Sequence, residues 1–227
     1  MRATARPRVK ICCIGSAHEA DVAIRYGAAA VGLVSAMPSG PGVIPEEVIA
    51  EIAARIPPGV ASFLLTALQD ASAIAAQQRR CRTNTIQICD RLEHGGYAGL
   101  RRSLPGIKVV QVIHVNGTES VTEAKLVAPH VDALLLDSGN QMLPVKELGG
   151  TARIHDWRLS RAIREAVDVP VYLAGGLTPE NVGEAIRQVA PFGLDVCSGV
   201  RTNGQLDDVK LARFFAAVQA SSNGNGR

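Results

Sequence analysis

The feature that most constrains this chain is an alternation of eight short apolar runs with eight segments of helical character. The runs predict strands at 9–14, 29–34, 60–65, 85–89, 108–114, 131–136, 169–173 and 194–197. Strands that are apolar throughout are typical of parallel sheets buried on both faces. Eight such units within 227 residues favour an α/β fold, a closed (β/α)8 TIM barrel in a single domain, over a doubly wound open sheet.

The barrel is predicted to occupy residues 8–220, between a flexible N-terminus at 1–7 and a flexible tail at 221–227. The predicted helices cover 17–26, 45–56, 70–80, 97–103, 120–128, 156–167, a segment directly behind Gly176, and 206–220. Two connections are longer than a barrel requires, at 35–44 after strand two and 138–155 after strand six. Both leave the carboxyl ends of strands, so we expect them to border the active site.

Composition narrows the classes of function. The net charge is only +3 and forms no basic stripe, so nucleic-acid binding is not predicted. No run approaches the roughly 20 apolar residues of a membrane span, and residues 1–10 lack the apolar block of a secretory signal. Five cysteines, an odd number, argue against a disulfide framework and predict a cytoplasmic protein.

Two neighbouring strand ends predict a phosphate site. The seventh strand leads into Gly175 and Gly176, with a helix expected directly behind them and capped by Thr178. The eighth strand ends at Ser198 and Gly199. Small residues with free backbone N–H groups form a cradle for a phosphate, which barrels commonly bind after strands seven and eight. The alternative is that the glycines only form a tight turn.

A thiol and a carboxylate are candidates for proton transfer. Cys12 stands at the end of strand one and Asp137 directly after strand six, so both should face the barrel mouth and could act as base and acid. Lys10 shares the face of Cys12 and would favour its thiolate. The alternative for Cys12 is a small core residue, which is the reading preferred for three other cysteines, Cys13, Cys81 and Cys197.

A metal site is the competing interpretation of these strand ends. Its ligands would be Cys12, Cys89, His114 and Asp137. The chain has no local pair of cysteines or histidines at metal-ligand spacing, so the site would depend wholly on fold geometry. We therefore predict neither a metal nor a cofactor.

Seven segments, taken in order, resemble the phosphoribosylanthranilate isomerase family of tryptophan biosynthesis. They are residues 10–12, 32–34, 86–88, 135–137, 149–157, 173–181 and 195–200. The resemblance implies an Amadori rearrangement of an aminoaldose phosphate without cofactor or metal. It places Cys12 as general base and Asp137 as general acid, and it assigns phosphate binding to Gly175, Gly176, Ser198 and Gly199.

The chain departs from the family where the family recognises the aglycon. Residues 38–44 contain no cation, whereas the family has an arginine there that pairs with the anthranilate carboxylate. Cys13 replaces a glycine, Cys89 and Asp90 replace a His-Gly pair, and Arg201 replaces a glutamate. Lys146 or Arg153 of the sixth loop could supply the missing charge, so the substrate-binding candidates are Lys10, Gln87, Cys89, Lys146 and Arg153.

Three hypotheses remain open from the sequence. The first is an isomerase of this family acting on a phosphoribosylated amine, and the second is a related isomerase with a different aglycon. The third is a non-catalytic protein that binds a sugar phosphate, although simple phosphate binding needs neither Cys12 nor Asp137. The expected partner is a small phosphorylated sugar-amine, without nucleic acid or membrane, and the sequence leaves monomer and homodimer open.

Overall fold

Residues 6–223, which the computed structural model describes, contain a closed barrel of eight parallel strands. The strands are β1 (Arg8–Ile11), β2 (Ala30–Val34), β3 (Ala61–Thr66), β4 (Thr85–Ile88), β5 (Lys108–His114), β6 (Ala133–Asp137), β7 (Val171–Leu173) and β8 (Gly193–Val196). Each strand pairs with its neighbour in the chain, and β1 pairs with β8 to close the barrel. The predicted fold class is confirmed.

Eight α-helices surround the strands within the described residues. They are α1 (Ala17–Arg25), α2 (Glu46–Arg55), α3 (Ala71–Cys81), α4 (Gly96–Ser103), α5 (Glu119–Val127), α6 (Trp157–Ala166), α7 (Val182–Val189) and α8 (Asp208–Asn223). Side chains that accept a bond from a backbone N–H begin four of them: Ser16 for α1, Asp70 for α3, Asp156 for α6 and Asp207 for α8. Such caps satisfy N–H groups that the helix itself leaves unpaired. No helix in this part of the chain is long and apolar enough to cross a membrane.

The last helix differs from its predicted bounds at both ends. A short hairpin of β9 (Arg201–Thr202) and β10 (Gln205–Leu206) precedes α8, so the helix begins at Asp208 and not at Leu206. It then continues through Asn223, so the first three residues of the predicted tail are helical. Residues 1–5 and 224–227 of the two predicted flexible termini lie outside the described residues.

Strict alternation along the strands decides which side chains enter the barrel. On β6, Leu134 and Leu136 pack outward against the helices, while Leu135 belongs to the inner cluster. Asp137 therefore continues the inward face. The same period places Lys10 of β1 and Gln87 of β4 inside, between outward neighbours.

A buried ion pair lies beneath the barrel mouth. Lys10 and Asp195 are register partners on β1 and β8, and their side chains are 2.8 Å apart. Lys10 is fully buried, and its ammonium lies 5.3 Å from the centre of the Phe63 ring. A charge this deep is tolerated because a carboxylate neutralises it.

The two long connections meet over the mouth. Ser39 Oγ donates to the carbonyl oxygen of Lys146 at 2.7 Å, which fastens the loop after β2 to the loop after β6. Gly150 lies so close to Pro41 that an added Cβ would be 2.6 Å from Pro41 Cδ. The predicted position of both loops at the active-site face is confirmed.

Candidate active site

Cys12 and Asp137 line one open cavity at the carboxyl ends of the strands. Cys12 follows β1 directly and Asp137 is the last residue of β6. Both are nearly buried, with 6% and 9% of their surface exposed. The barrel therefore brings together the predicted thiol and carboxylate in one solvent-accessible pocket.

Lys10 lies below the cavity, not in its lining. Its ammonium donates to Cys12 Sγ at 3.4 Å and to Asp195 Oδ2 at 2.8 Å. Burial alone would lower the pKa of Lys10, but the Asp195 carboxylate and the Cys12 thiol raise it above its usual value. Lys10 is therefore a charged group fixed beneath the thiol. Its predicted direct contact with substrate is corrected to a supporting position, because it is fully buried.

Asp137 is held in a setting that favours its protonated form. Burial raises the pKa of this carboxyl above its usual value, against the opposing effect of the backbone N–H of Ser138, which donates to Oδ1 at 2.7 Å. Gly149 of the sixth loop passes so close that a Cβ there would lie 2.8 Å from Asp137 Oδ2. Burial therefore favours the protonated carboxyl of Asp137 over the carboxylate.

Cys13 is buried, as the core interpretation predicts, but it also faces the cavity, although alternation along a strand would turn it away from the side of Cys12. It lines the cavity together with Cys197, and its Sγ lies 3.6 Å from the carbonyl oxygen of Pro41. Strand β1 ends at Ile11, and Cys13 has a φ of +60°, so two-residue alternation no longer applies. The conformation is the left-handed one that favours glycine, the residue that the family has here.

The neighbouring thiols of Cys13 and Cys197 shift each other's pKa in opposite directions. Bonds to the Cys12 and Cys197 thiols, together with burial, raise the pKa of Cys13. The bond from Cys13 outweighs burial and lowers the pKa of Cys197, with help from the charge of Arg201. The prediction that Cys197 is a plain core residue is therefore corrected, whereas Cys81 is fully buried on α3 away from the cavity.

The four predicted phosphate-binding residues converge at the mouth. Gly175 and Gly176, with φ of +84° and +61°, lie beside Ser198 in the cavity lining. Gly199 adjoins them across a second opening that Gly176 and Ser198 also border. The backbone N–H groups of Gly176, Ser198 and Gly199 donate to no acceptor in residues 6–223. They are available to an anion.

The turn behind the glycines differs from the prediction. Helix α7 begins at Val182, and Thr178 is not its cap. Asn181 accepts from the Thr178 N–H at 2.8 Å and donates to the carbonyl oxygen of Gly176 at 2.8 Å. This side chain shapes a turn between strand and helix, so the available N–H groups belong to the turns after β7 and β8.

Two cations near these glycines were missed by the sequence reasoning. Lys210 and Arg213 of α8 border the second opening together with Gly176, Ser198 and Gly199. Lys210 donates to the carbonyl oxygen of Arg201 at 2.7 Å, and Arg213 pairs with Glu180 at 2.7 Å, so both cations also have partners within the protein. The signal was their i, i+3 spacing, which puts both on one face of the last helix.

The other candidates divide between the cavity and its surroundings. Gln87 and Cys89 line the cavity, whereas Lys146 and Arg153 do not. Lys146 pairs with Asp90 at 2.6 Å, and Arg153 pairs with Glu147. Neither cation projects toward a ligand in the cavity, so the predicted replacement of the missing arginine is not seen.

The residues of the metal interpretation do not form a metal site. In the described part of the chain no three His, Cys, Asp or Glu side chains are arranged to hold a metal ion. His114 Nε2 is 2.9 Å from the carbonyl oxygen of Cys89.

His155, close to the phosphate cradle, makes stability depend on pH. Its Nε2 is 2.6 Å from Ser160 Oγ, and burial lowers its pKa to about 4. The unfolded chain binds this proton near the ordinary pKa of about 6.5, so the folded state loses stability as the pH falls from 6.5 toward 4. We expect the free energy of unfolding, measured by urea denaturation, to be about 2 kcal/mol lower at pH 5 than at pH 7.5 because of His155.

The variant His155→Gln should remove most of that pH dependence. The exposed His18 offers the matched control, and His18→Gln should leave the slope as in the parent. Equal slopes for the parent and His155→Gln would contradict this account.

The fold and the cavity define the class of this protein as a (β/α)8-barrel enzyme. The family model described as N-(5'phosphoribosyl)anthranilate (PRA) isomerase matches residues 9–217. The chain therefore belongs to the phosphoribosylanthranilate isomerase family, whose members are aldose–ketose isomerases.

Curated relatives and solved structures agree with this placement. The N-(5'-phosphoribosyl)anthranilate isomerase 2 of Methanosarcina mazei is 36% identical over 209 residues, which cover 91% of this chain and 92% of that protein. The isomerase of Haloferax volcanii is 36% identical over 225 residues, covering 96% and 95%.

The phosphoribosyl anthranilate isomerase from Thermotoga maritima superimposes with a TM-score of 0.77 at 26% identity, covering 94% and 99%. A phosphoribosyl anthranilate isomerase in complex with reduced 1-(o-carboxyphenylamino)-1-deoxyribulose 5-phosphate gives 0.75 at 26%, also covering 94% and 99%.

Proposed function

We propose that this chain catalyses the Amadori rearrangement of a phosphoribosylated amine, with Cys12 as general base and Asp137 as general acid. One observation carries the proposal: the thiol and the carboxyl line the same cavity as Gly175, Gly176 and Ser198. A sugar phosphate anchored at those glycines extends its reacting carbons over the barrel floor. Such anchoring holds the sugar carbons beside the groups that transfer protons, so each proton transfer occurs within one enzyme–substrate complex.

Binding begins at the phosphate. The available N–H groups of Gly176, Ser198 and Gly199 receive its oxygens, and Lys210 and Arg213 complement its charge from α8. A phosphate held at two strand ends fixes the direction of the ribose toward β1 and β6.

The chemistry consists of proton transfers at named atoms. Asp137 donates its proton to the ring oxygen, the bond from C1 to that oxygen breaks, and a Schiff base forms at C1. Cys12, as thiolate beside the Lys10 ammonium, removes the proton from C2 and leaves an enolamine. Tautomerisation gives the 2-ketone and returns a proton to C1. Reduction at C1 balances oxidation at C2, so the rearrangement is redox-neutral.

The free cysteines indicate the cellular compartment, and the residues of the cavity argue against a protein that only binds a sugar phosphate. All five cysteines are free thiols, and four of them line the cavity, so we place the enzyme in the reducing cytoplasm, in the biosynthetic role of its family. A sugar-phosphate sensor would need the glycines alone. Simple binding of a phosphate does not explain why a buried carboxyl with a raised pKa lines the same cavity as the Cys12 thiol.

The test uses the N-glycosides that ribose 5-phosphate, deuterated at C2, forms with anthranilate and with other aromatic amines. We expect at least one glycoside to be converted to its ketose, with loss of deuterium to solvent and a primary isotope effect. Binding without conversion of any glycoside would favour the sensor and contradict the proposal. Rescue of a tryptophan-requiring strain asks separately whether anthranilate serves as the aglycon.

A further inference from the structure

The wall of the cavity that lies away from the phosphate glycines is apolar and carries no cation. Met37 of the loop after β2, Leu65 of β3 and Leu148 of the loop after β6 line it. No Lys or Arg among the described residues belongs to the cavity lining, whereas the carboxyl groups of Asp137 and Asp195 do. A carboxylate on the amine substituent would find no cation among the described lining residues.

Four cations lie near the end of the cavity away from the phosphate glycines, and each of them already has a carboxylate partner. Lys10 pairs with Asp195 at 2.8 Å beneath the floor, and Lys146 pairs with Asp90 at 2.6 Å beside β4. Arg153 pairs with Glu147. Arg201 pairs with Glu19 at 2.8 Å and donates to the carbonyl oxygen of Cys13 at 2.6 Å. Recruiting any of them for a ligand would leave a partner carboxylate unpaired.

Gln87 is the residue of this wall that favours a particular kind of ligand. It lines the cavity, is only 3% exposed, and its Oε1 has no hydrogen-bond partner within residues 6–223. Cys89 supports this orientation of the Gln87 amide. Its thiol donates to the backbone oxygen of Gln87, and its sulfur accepts from the Gln87 Nε2. A buried carbonyl oxygen without a donor is costly, so a ligand that offers an N–H or O–H to this oxygen is favoured over one that offers none.

We propose that the cavity selects a phosphoribosylated amine whose substituent is uncharged and donates a hydrogen bond to Gln87 Oε1. The substrate class is a neutral arylamine bearing an amide or hydroxyl, not a carboxylated one. The inference rests on the proposed isomerase function. It distinguishes this chain from the relative that binds a carboxyphenylamino compound.

The experiment compares three glycosides of ribose 5-phosphate on the purified full-length chain, made with 2-aminobenzamide, aniline and anthranilate. The first and last have nearly the same shape, but only anthranilate carries a charge. We expect kcat/KM for the 2-aminobenzamide glycoside to exceed that for the anthranilate glycoside by at least about 30-fold. A buried charge without a partner weakens binding by this factor or more. Aniline, which offers Gln87 no donor group, should fall below the amide by about 2- to 10-fold.

Substitutions of two residues in the cavity lining test this specificity directly. Met37→Arg adds a guanidinium and should raise kcat/KM for the anthranilate glycoside by about tenfold or more, whereas Met37→Gln, without charge, should not. Gln87→Met should reduce the ratio of kcat/KM for the amide glycoside to kcat/KM for the aniline glycoside. Because both values come from the same preparation of the variant, a partial loss of folded protein does not change this ratio.

The outcomes separate the two levels of the argument. Turnover of the anthranilate glycoside equal to or better than that of the amide, with a ratio that Met37→Arg does not change, overturns this inference and leaves the isomerase intact. Absence of turnover for all three glycosides overturns the proposed function, and this inference with it.

Discussion

Asp137→Asn and Cys12→Ser should each lower kcat by about 10²–10⁴-fold, the usual contribution of a general acid or base. Asparagine keeps the shape of Asp137 but has no proton to give to the ring oxygen. Serine keeps the shape of Cys12 but is not an accessible anion beside Lys10. Affinity for the sugar phosphate should stay near that of the parent, because the phosphate glycines are untouched. The measurement is steady-state kinetics with a confirmed glycoside substrate.

The appropriate control for these variants is Cys81→Ala. Cys81 is a buried thiol on α3 that does not line the cavity, whereas Cys13 lines the cavity and is unsuitable as a bystander. Turnover that survives both Asp137→Asn and Cys12→Ser would contradict the assigned mechanism. Loss in Cys81→Ala as well would indicate a general effect on the fold.

The pH profile gives a second measure of Asp137. As general acid it must carry its proton, and burial raises its pKa, so the active form persists to higher pH than for an ordinary aspartate. Activity should then decline as the pH rises through that raised pKa, and this alkaline limb should be missing in the residual activity of Asp137→Asn.

Much of this site could be predicted because strand alternation is a local rule with a global consequence. Once β1 and β6 are recognised, a period of two places Lys10 and Asp137 on the inner face, and parallel strands bring their carboxyl ends to one mouth. The glycines after β7 are equally legible, because Gly175 and Gly176 adopt positive φ, which other residues rarely do.

The failures lie where a side chain from elsewhere competes with the local pattern. Cys13 looked like the outward neighbour of Cys12, but the strand ends before it and its backbone takes a left-handed conformation. Thr178 looked like a helix cap, but Asn181 ties the turn to Gly176. Lys146 looked available for a ligand, although Asp90, 56 positions away in the chain, already holds it. None of these contacts has a signature within a short window of sequence.

Gly176→Asp should lower the affinity for ribose 5-phosphate and for inorganic phosphate by at least about 100-fold, because a carboxylate would face the phosphate between the turns after β7 and β8. The matched control is Gly176→Asn, which has the same size without the charge and tolerates positive φ better than most residues. A side chain at this position meets Ile154 Cγ1 at 2.8 Å and the carbonyl oxygen of Ala152 at 2.9 Å. Both variants should therefore lose some thermal stability to the same extent, and the difference between them isolates the charge. Calorimetric titration of the two folded proteins measures that difference, and equal affinities would remove the glycines from the phosphate site.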